Sequence, residues 1–193
     1  MTLTTDQGQN ITAAVSVLKE TYQNLELLFK ELDRIGEEEG FIPVTPKFLR
    51  WKSDAYYDGW LTSNFIKLYE VEEDSAARTK TVYGAEIDLE GEEYPSLSII
   101  QYIFDAAEWP ESTSPSDHWI FWDPFRRDNL FNIEENNGVW TSTPLEKMKK
   151  RYRGMIKATA VDMPLVSVTS PEDVRQLVFE GFKKKASSES ADE

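Results

Sequence analysis

The feature that most limits what this chain can fold into is a run of apolar residues spaced three and four apart between Asn10 and Ile35. Ile11, Ala14, Val15, Leu18, Tyr22, Leu25, Leu28, Phe29, Leu32 and Ile35 fall on one face of a helix, with Lys19, Glu20, Gln23, Glu26, Lys30 and Asp33 mainly on the other. Such a helix makes about seven turns and needs a broad apolar surface to lie on, either its own sheet or a second copy of itself. Gly36 is read as its stop. The acidic run Glu37–Glu39 and Gly40 follow as a polar connection, and Pro43 and Pro46 forbid a simple continuation. A second, short helix is expected from Pro46 towards Trp60.

The period then changes from helical to two. Phe65 to Val71 alternates as a strand does. Thr81, Tyr83, Ala85, Ile87 and Leu89 share one face of the next, with Lys80, Val82, Gly84, Glu86 and Asp88 on the other. Leu97 to Phe104 is apolar on both faces and reads as a central strand, and His118 to Phe125 as a further one. Thr143-Pro144-Leu145-Glu146 has the order of a capping box and predicts a helix carrying Leu145, Met148, Tyr152, Met155 and Ile156 inward. Met163 to Val168 is then read as a strand, and Ser170-Pro171-Glu172-Asp173 as the start of a last helix ending near Lys183–Lys185. The predicted class is α+β: a long N-terminal amphipathic helix, an antiparallel meander, and a C-terminal helix-strand-helix. The expected organisation is a flexible end over residues 1–9, one domain over 10–185 and a disordered acidic tail over 186–193.

Composition removes whole classes of function. The 193 residues contain no cysteine and one histidine, which excludes disulfides, thiol nucleophiles, cysteine-ligated zinc or iron–sulfur centres and multi-histidine metal sites. No phosphate-binding glycine loop and no G-x-S-x-G elbow occur. No apolar run approaches the roughly 20 residues that span a bilayer, and the N-terminus lacks a secretion signal, so a cytoplasmic location without membrane partners is expected. No cofactor or metal is implied.

Charge is unevenly spread. The net charge is −14, yet residues 1–142 hold 27 acids and 11 bases, whereas residues 143–193 hold 8 acids and 10 bases. Lys147, Lys149, Lys150, Arg151, Arg153 and Lys157 crowd the predicted basic helix, with Lys149, Arg153 and Lys157 as its candidate contacts to phosphate or to an acidic partner. The overall charge makes nucleic acid an unfavoured partner.

Residues 104–125 combine aromatic rings with acids. Trp109, Trp119 and Trp122 beside Asp105 and Glu108 make a candidate binding surface, by stacking and cation–π contact with a cationic or flat ligand. The competing expectation is that these rings fill the core. His118, with Asp117 or Asp123 to orient it, is the candidate acid/base set of a small enzyme. Glu86 and Asp88 with Asp105 and Glu108 are the residue types that hold magnesium, but acids solvated on an exposed sheet face are the expected account. The function expected from this balance is a non-catalytic protein-binding or regulatory module, inhibitor- or immunity-like, docking to a basic protein. The alternative is the enzyme using His118. A homodimer through the N-terminal helix is a further expectation.

Overall fold

In the computed structural model the residues described are 5–72, 77–91, 93–110 and 112–189, without the side chains of 186–189. The expected tail over 186–193 therefore lies mostly outside the described residues, as do residues 1–4 of the expected flexible end. Helix α1 runs Thr5–Glu38, past the expected stop at Gly36. Gly36 lies inside the helix at a close approach to the core, where a Cβ would stand 3.1 Å from Phe179 and 3.3 Å from Tyr69. The stop comes at Gly40, with φ +83°. There Phe41 N–H donates to Gly36 O and Gly40 N–H to Glu37 O, the paired bonds of a Schellman ending.

Among the described residues eight strands form one antiparallel sheet: β1 (Ile42–Pro43), β2 (Leu49–Arg50), β3 (Asn64–Glu70), β4 (Thr79–Asp88), β5 (Ser96–Asp105), β6 (Phe131–Asn136), β7 (Val139–Pro144) and β8 (Met155–Pro164). Their order is β1-β3-β4-β5-β8-β7-β6, with β2 also on β3. The fold is thus α+β, with helical segments at both ends of the chain. The expected helix over 46–60 is absent, its place taken by β2, a loop and a 3₁₀ turn at Tyr57–Gly59.

Strands β3 to β5 are buried on both faces over most of their length. One face meets α1 and the C-terminal helix, through Phe29, Leu32, Ile35, Tyr69, Tyr83, Phe179 and Phe182. That helix is α3 (Pro171–Asp173), a π-helical stretch (Val174–Phe179) and α4 (Glu180–Glu189) in direct succession. Arg175 and Lys183 tie it to Glu39 at the end of α1. The other face packs against the segment after β5, through Tyr102, Phe104, Ile120, Phe121 and Tyr152. Lys67, only 2% exposed, points toward α1 and donates to Asp33 at 2.9 Å, and the Tyr69 hydroxyl donates to the same carboxylate at 3.0 Å. Burial, reinforced by Asp33, holds the Tyr69 phenol far above its ordinary pKa, so it remains a donor.

Further predicted elements have the wrong type. Residues 118–125 form helix α2 (His118–Trp122) and a 3₁₀ turn, not a strand. The cause is local: Ser114 and Asp117 close a capping box around Pro115, which commits the chain to a helical turn before the apolar run begins. The basic helix of residues 143–157 is likewise absent. Pro144 ends β7, Glu146–Met148 makes a 3₁₀ turn, and β8 begins at Met155. The helix cannot form because Arg153 and Gly154 adopt φ of +55° and +71°. Gly154 lies so close to the end of β5 that a Cβ there would come within 2.7 Å of Glu108 Cβ. Met163 then belongs to the end of β8, and Leu165–Ser167 is a 3₁₀ turn. Hairpin β6–β7 was not anticipated, although Asn137 and Gly138, both at positive φ, carry the Asn-Gly turn signal. Among the described residues no helix is long and apolar enough to cross a membrane.

Candidate functional site

The two regions singled out by composition meet each other. Arg153 lies 6.0 Å from the ring centre of Trp109, Arg151 lies 5.4 Å from that of Trp119, and Arg126 and Arg127 lie 4.8 and 6.0 Å from that of Trp122. Arg153 also pairs with Asp117 at 2.5 Å, and the Tyr152 hydroxyl donates to Asp123 at 2.6 Å. Three tryptophans expected to await a cationic ligand are thus already faced by the chain's own arginines. Of the three candidate bases, Arg153 is turned inward, Lys149 pairs with Glu146 at 2.7 Å, and Lys157 lies on β8, so they share no helix face.

His118 is bound to neither of its expected partners. Its Nε2 lies 2.7 Å from Asn64 Oδ1, and the amide nitrogen of Asn64 donates to Glu86 Oε1 at 2.6 Å. With the amide oxygen of Asn64 as acceptor, the proton resides on Nε2. Burial holds the imidazole pKa at about 4, with the charge of Arg126 adding to the effect and Asp88 opposing it. His118 is therefore neutral, and Nε2 is occupied. Arg126 completes this network, reaching Glu86 at 2.6 Å and Asp88 at 3.3 Å. Asp117 instead caps the turn by accepting from Ser114 N–H at 2.6 Å.

A cleft of about 450 Å³ opens beside the network. His118, Trp119, Trp122 and Asp123 line it, whereas Trp109, Asp105, Glu108 and Asp117 do not. Asp105 ends β5 opposite Thr79, at the far end of β4 from Asp88, so the four-carboxylate cluster does not assemble. Among the described residues no group of three or more histidine, aspartate or glutamate side chains is placed to hold a metal ion. Further acids on the cleft wall are Asp58, Asp88 and Glu90, with Arg127 as the one guanidinium.

The remaining wall was missed by sequence reasoning. Trp51, Asp58 and Leu61 come from the loop between β2 and β3. This loop folds on itself: Ser53 N–H donates to Gly59 O, Ala55 N–H to Ser53 Oγ, and the Trp60 indole to Asp54 O. Gly59 packs where a Cβ would lie 2.5 Å from Ser53 Cβ. The closed loop holds Trp51, Tyr56, Tyr57 and Trp60 outward, 45%, 70%, 80% and 70% exposed. Four large aromatic side chains within eleven residues, joined by a glycine, were the available signal; read as a helix, they were lost.

Comparison with known protein families, with curated proteins and with solved structures finds no match.

Proposed function

We propose that the protein is a non-catalytic binding module of the cytoplasm that docks a basic protein partner through the aromatic loop Trp51–Leu61 and the adjoining acidic cleft. The observation that carries this reading is the loop itself. Exposing four large aromatic rings is costly unless a partner covers them, and Trp and Tyr at such density are the usual anchors of protein interfaces. Asp54, Asp58, Asp88 and Glu90 surround the rings or line the cleft beside them. Within a chain of net charge −14 they favour a partner rich in lysine and arginine, and the long-range field speeds its approach. This places the anchor on a different segment from the one expected.

The test is a differential capture. Immobilised wild-type chain and a Tyr57→Ala/Trp60→Ala variant are exposed to the same native lysate. The reading predicts a basic protein enriched on the wild type and lost from the variant, with an association rate that falls as salt is raised. It is overturned if no protein distinguishes the two baits.

The enzyme reading has one observation in its favour, that His118, Asp88 and Asp123 line a single cleft. Against it stand a histidine already bonded to Asn64, a pKa of about 4, and, among the described residues, no carboxylate hydrogen-bonded to the ring.

Self-association through α1 belongs to the same proposal. No described residue of α1 before Leu25 is buried, and Ile11 and Val15 are exposed apolar side chains on its one apolar stripe. A second copy laid along this stripe would cover it, which sedimentation velocity on the wild type and on Ile11→Glu/Leu18→Glu measures directly.

A further inference from the structure

The helical layer leaves one wing of the sheet bare. Gly181 seats α4 against Ile99 of β5, where a Cβ would stand 3.3 Å from Ile99 Cγ2. Beyond β5 come β8 and β7. The register sets Ile99 opposite Val161 and Val161 opposite Val139, then Gln101 opposite Thr159 and Thr159 opposite Thr141. Side chains paired in this way share a face, so Val139, Thr141, Thr159 and Val161 continue the helix-covered surface sideways. The helix does not follow them. What remains is an open groove of about 480 Å³ between the flank of the C-terminal helix and the β8–β7 face.

The groove is graded along its length. Val139, Val161, Met163 and Leu177 line one end, whereas Lys157, Lys184 and Lys185, with Thr141 and Thr159, line the other. Among the described residues no carboxylate lines it. Lys185 donates to Thr159 Oγ1 at 3.5 Å, which brings the end of the helix down onto the polar half. Asp162, the acid acting on Lys185, alternates to the opposite face of β8 and lines a separate depression beside Glu86. A chain carrying 35 acids against 21 bases thus gathers three lysines around one apolar-floored groove. That segregation is the opposite of what a merely solvating surface gives.

We infer that this groove binds an amphipathic organic anion, its acidic head held among Lys157, Lys184 and Lys185 and its alkyl chain laid over Val161 and Val139 towards Met163 and Leu177. β8 rises about 20 Å from Lys157 to Met163, sufficient for a medium-chain alkyl anion. The polar-to-apolar order along β8, β7 and the helix is the same on all three sides, which fixes the direction in which such a ligand lies. Burial also lowers the pKa of Lys185 to about 8, with Asp162 opposing and the charge of Lys157 adding to the effect, and a bound anion would raise it again.

Isothermal titration of the full chain with decanoate and decyl phosphate, both kept below their micelle concentrations, tests this. Acetate and inorganic phosphate supply the head without the chain, and decyltrimethylammonium supplies the chain with the opposite charge. Saturable one-to-one binding of at least one alkyl anion is expected, with none of the three controls binding. Affinity should fall about tenfold or more in Lys157→Gln/Lys184→Gln, as for loss of charge-assisted contacts. Val139→Glu, at a position 40% exposed, should weaken binding as well, by placing a charge beside the alkyl chain. The inference is overturned if neither alkyl anion saturates, if the cationic analogue binds as tightly, or if both variants bind as the wild type does.

Discussion

Arg126 reaches across from the turn after α2 to place its guanidinium 2.6 Å from Glu86, a carboxylate in the middle of the sheet that is 2% exposed. Burial pushes the Glu86 carboxyl up, and Arg126 pulls it back towards the ionised state. Removing Arg126 strands a charge in the interior. Arg126→Met is expected to cost about 3 kcal/mol, and the double variant Glu86→Gln/Arg126→Met to regain at least half of it. Urea midpoints of the three proteins measure both effects, and a double variant no better than the single would refute the pairing as the cause.

His118 gives the fold an acid-sensitive component. Its folded pKa of about 4 lies below the ordinary value of 6.5, so the unfolded chain takes up the proton first as pH falls. Stability from this group is complete above about pH 6.5 and is lost progressively towards pH 4, a decline of up to about 3 kcal/mol. His118→Gln can keep a donor to Asn64 without titrating. Its stability should therefore vary less than the wild type's between pH 6.5 and 4.5, and identical pH profiles would disprove the assignment.

The bond between Asp33 and Lys67 fastens α1 to the sheet. Asp33→Asn leaves the buried ammonium without a countercharge and is expected to cost about 3 kcal/mol. Lys67→Met removes the buried charge as well and should cost distinctly less. Thermal melts of the two variants decide the order.

In the Trp51–Leu61 loop, the closeness of Gly59 to Ser53 predicts a local effect. Gly59→Ala forces the turn open, so trypsin should cut after Lys52 faster than in the wild type. The urea midpoint of the whole domain should move little. Unchanged cleavage would show that the turn yields without opening.

How much of this could be read from sequence depended on whether the signal was local. The stripe from Ile11 to Ile35, the alternation of β3 and β4 and the apolar run of β5 were legible because each is set by neighbours in the chain. The segment after Thr143 was misread for a physical reason. A capping-box order and three-four apolar spacing favour a helix, but Gly154 must approach Glu108, and Met155 must enter the sheet beside Phe104. Both constraints come from residues about fifty positions away. Separation along the chain also hid the pairing of Trp109 and Trp119 with Arg153 and Arg151, so that two halves of one internal contact looked like two separate surfaces. His118, Trp119, Trp122 and Asp123 did fall on one cleft, whereas its partners Asn64 and Trp51 lie far upstream.

The sheet order has a consequence for how the chain assembles. Strands β3, β4 and β5 are joined in sequence, as are β6, β7 and β8, and only the β5–β8 pairing unites the two sets. Each set closes through short connections, but the seam between them requires the whole excursion from Ala106 to Gly154 to fold back, and that closure carries the larger entropic cost. The seam is then the slow step. A chain cut in the exposed stretch around Thr113 should yield two pieces that lack stable structure separately and recover the sheet on mixing.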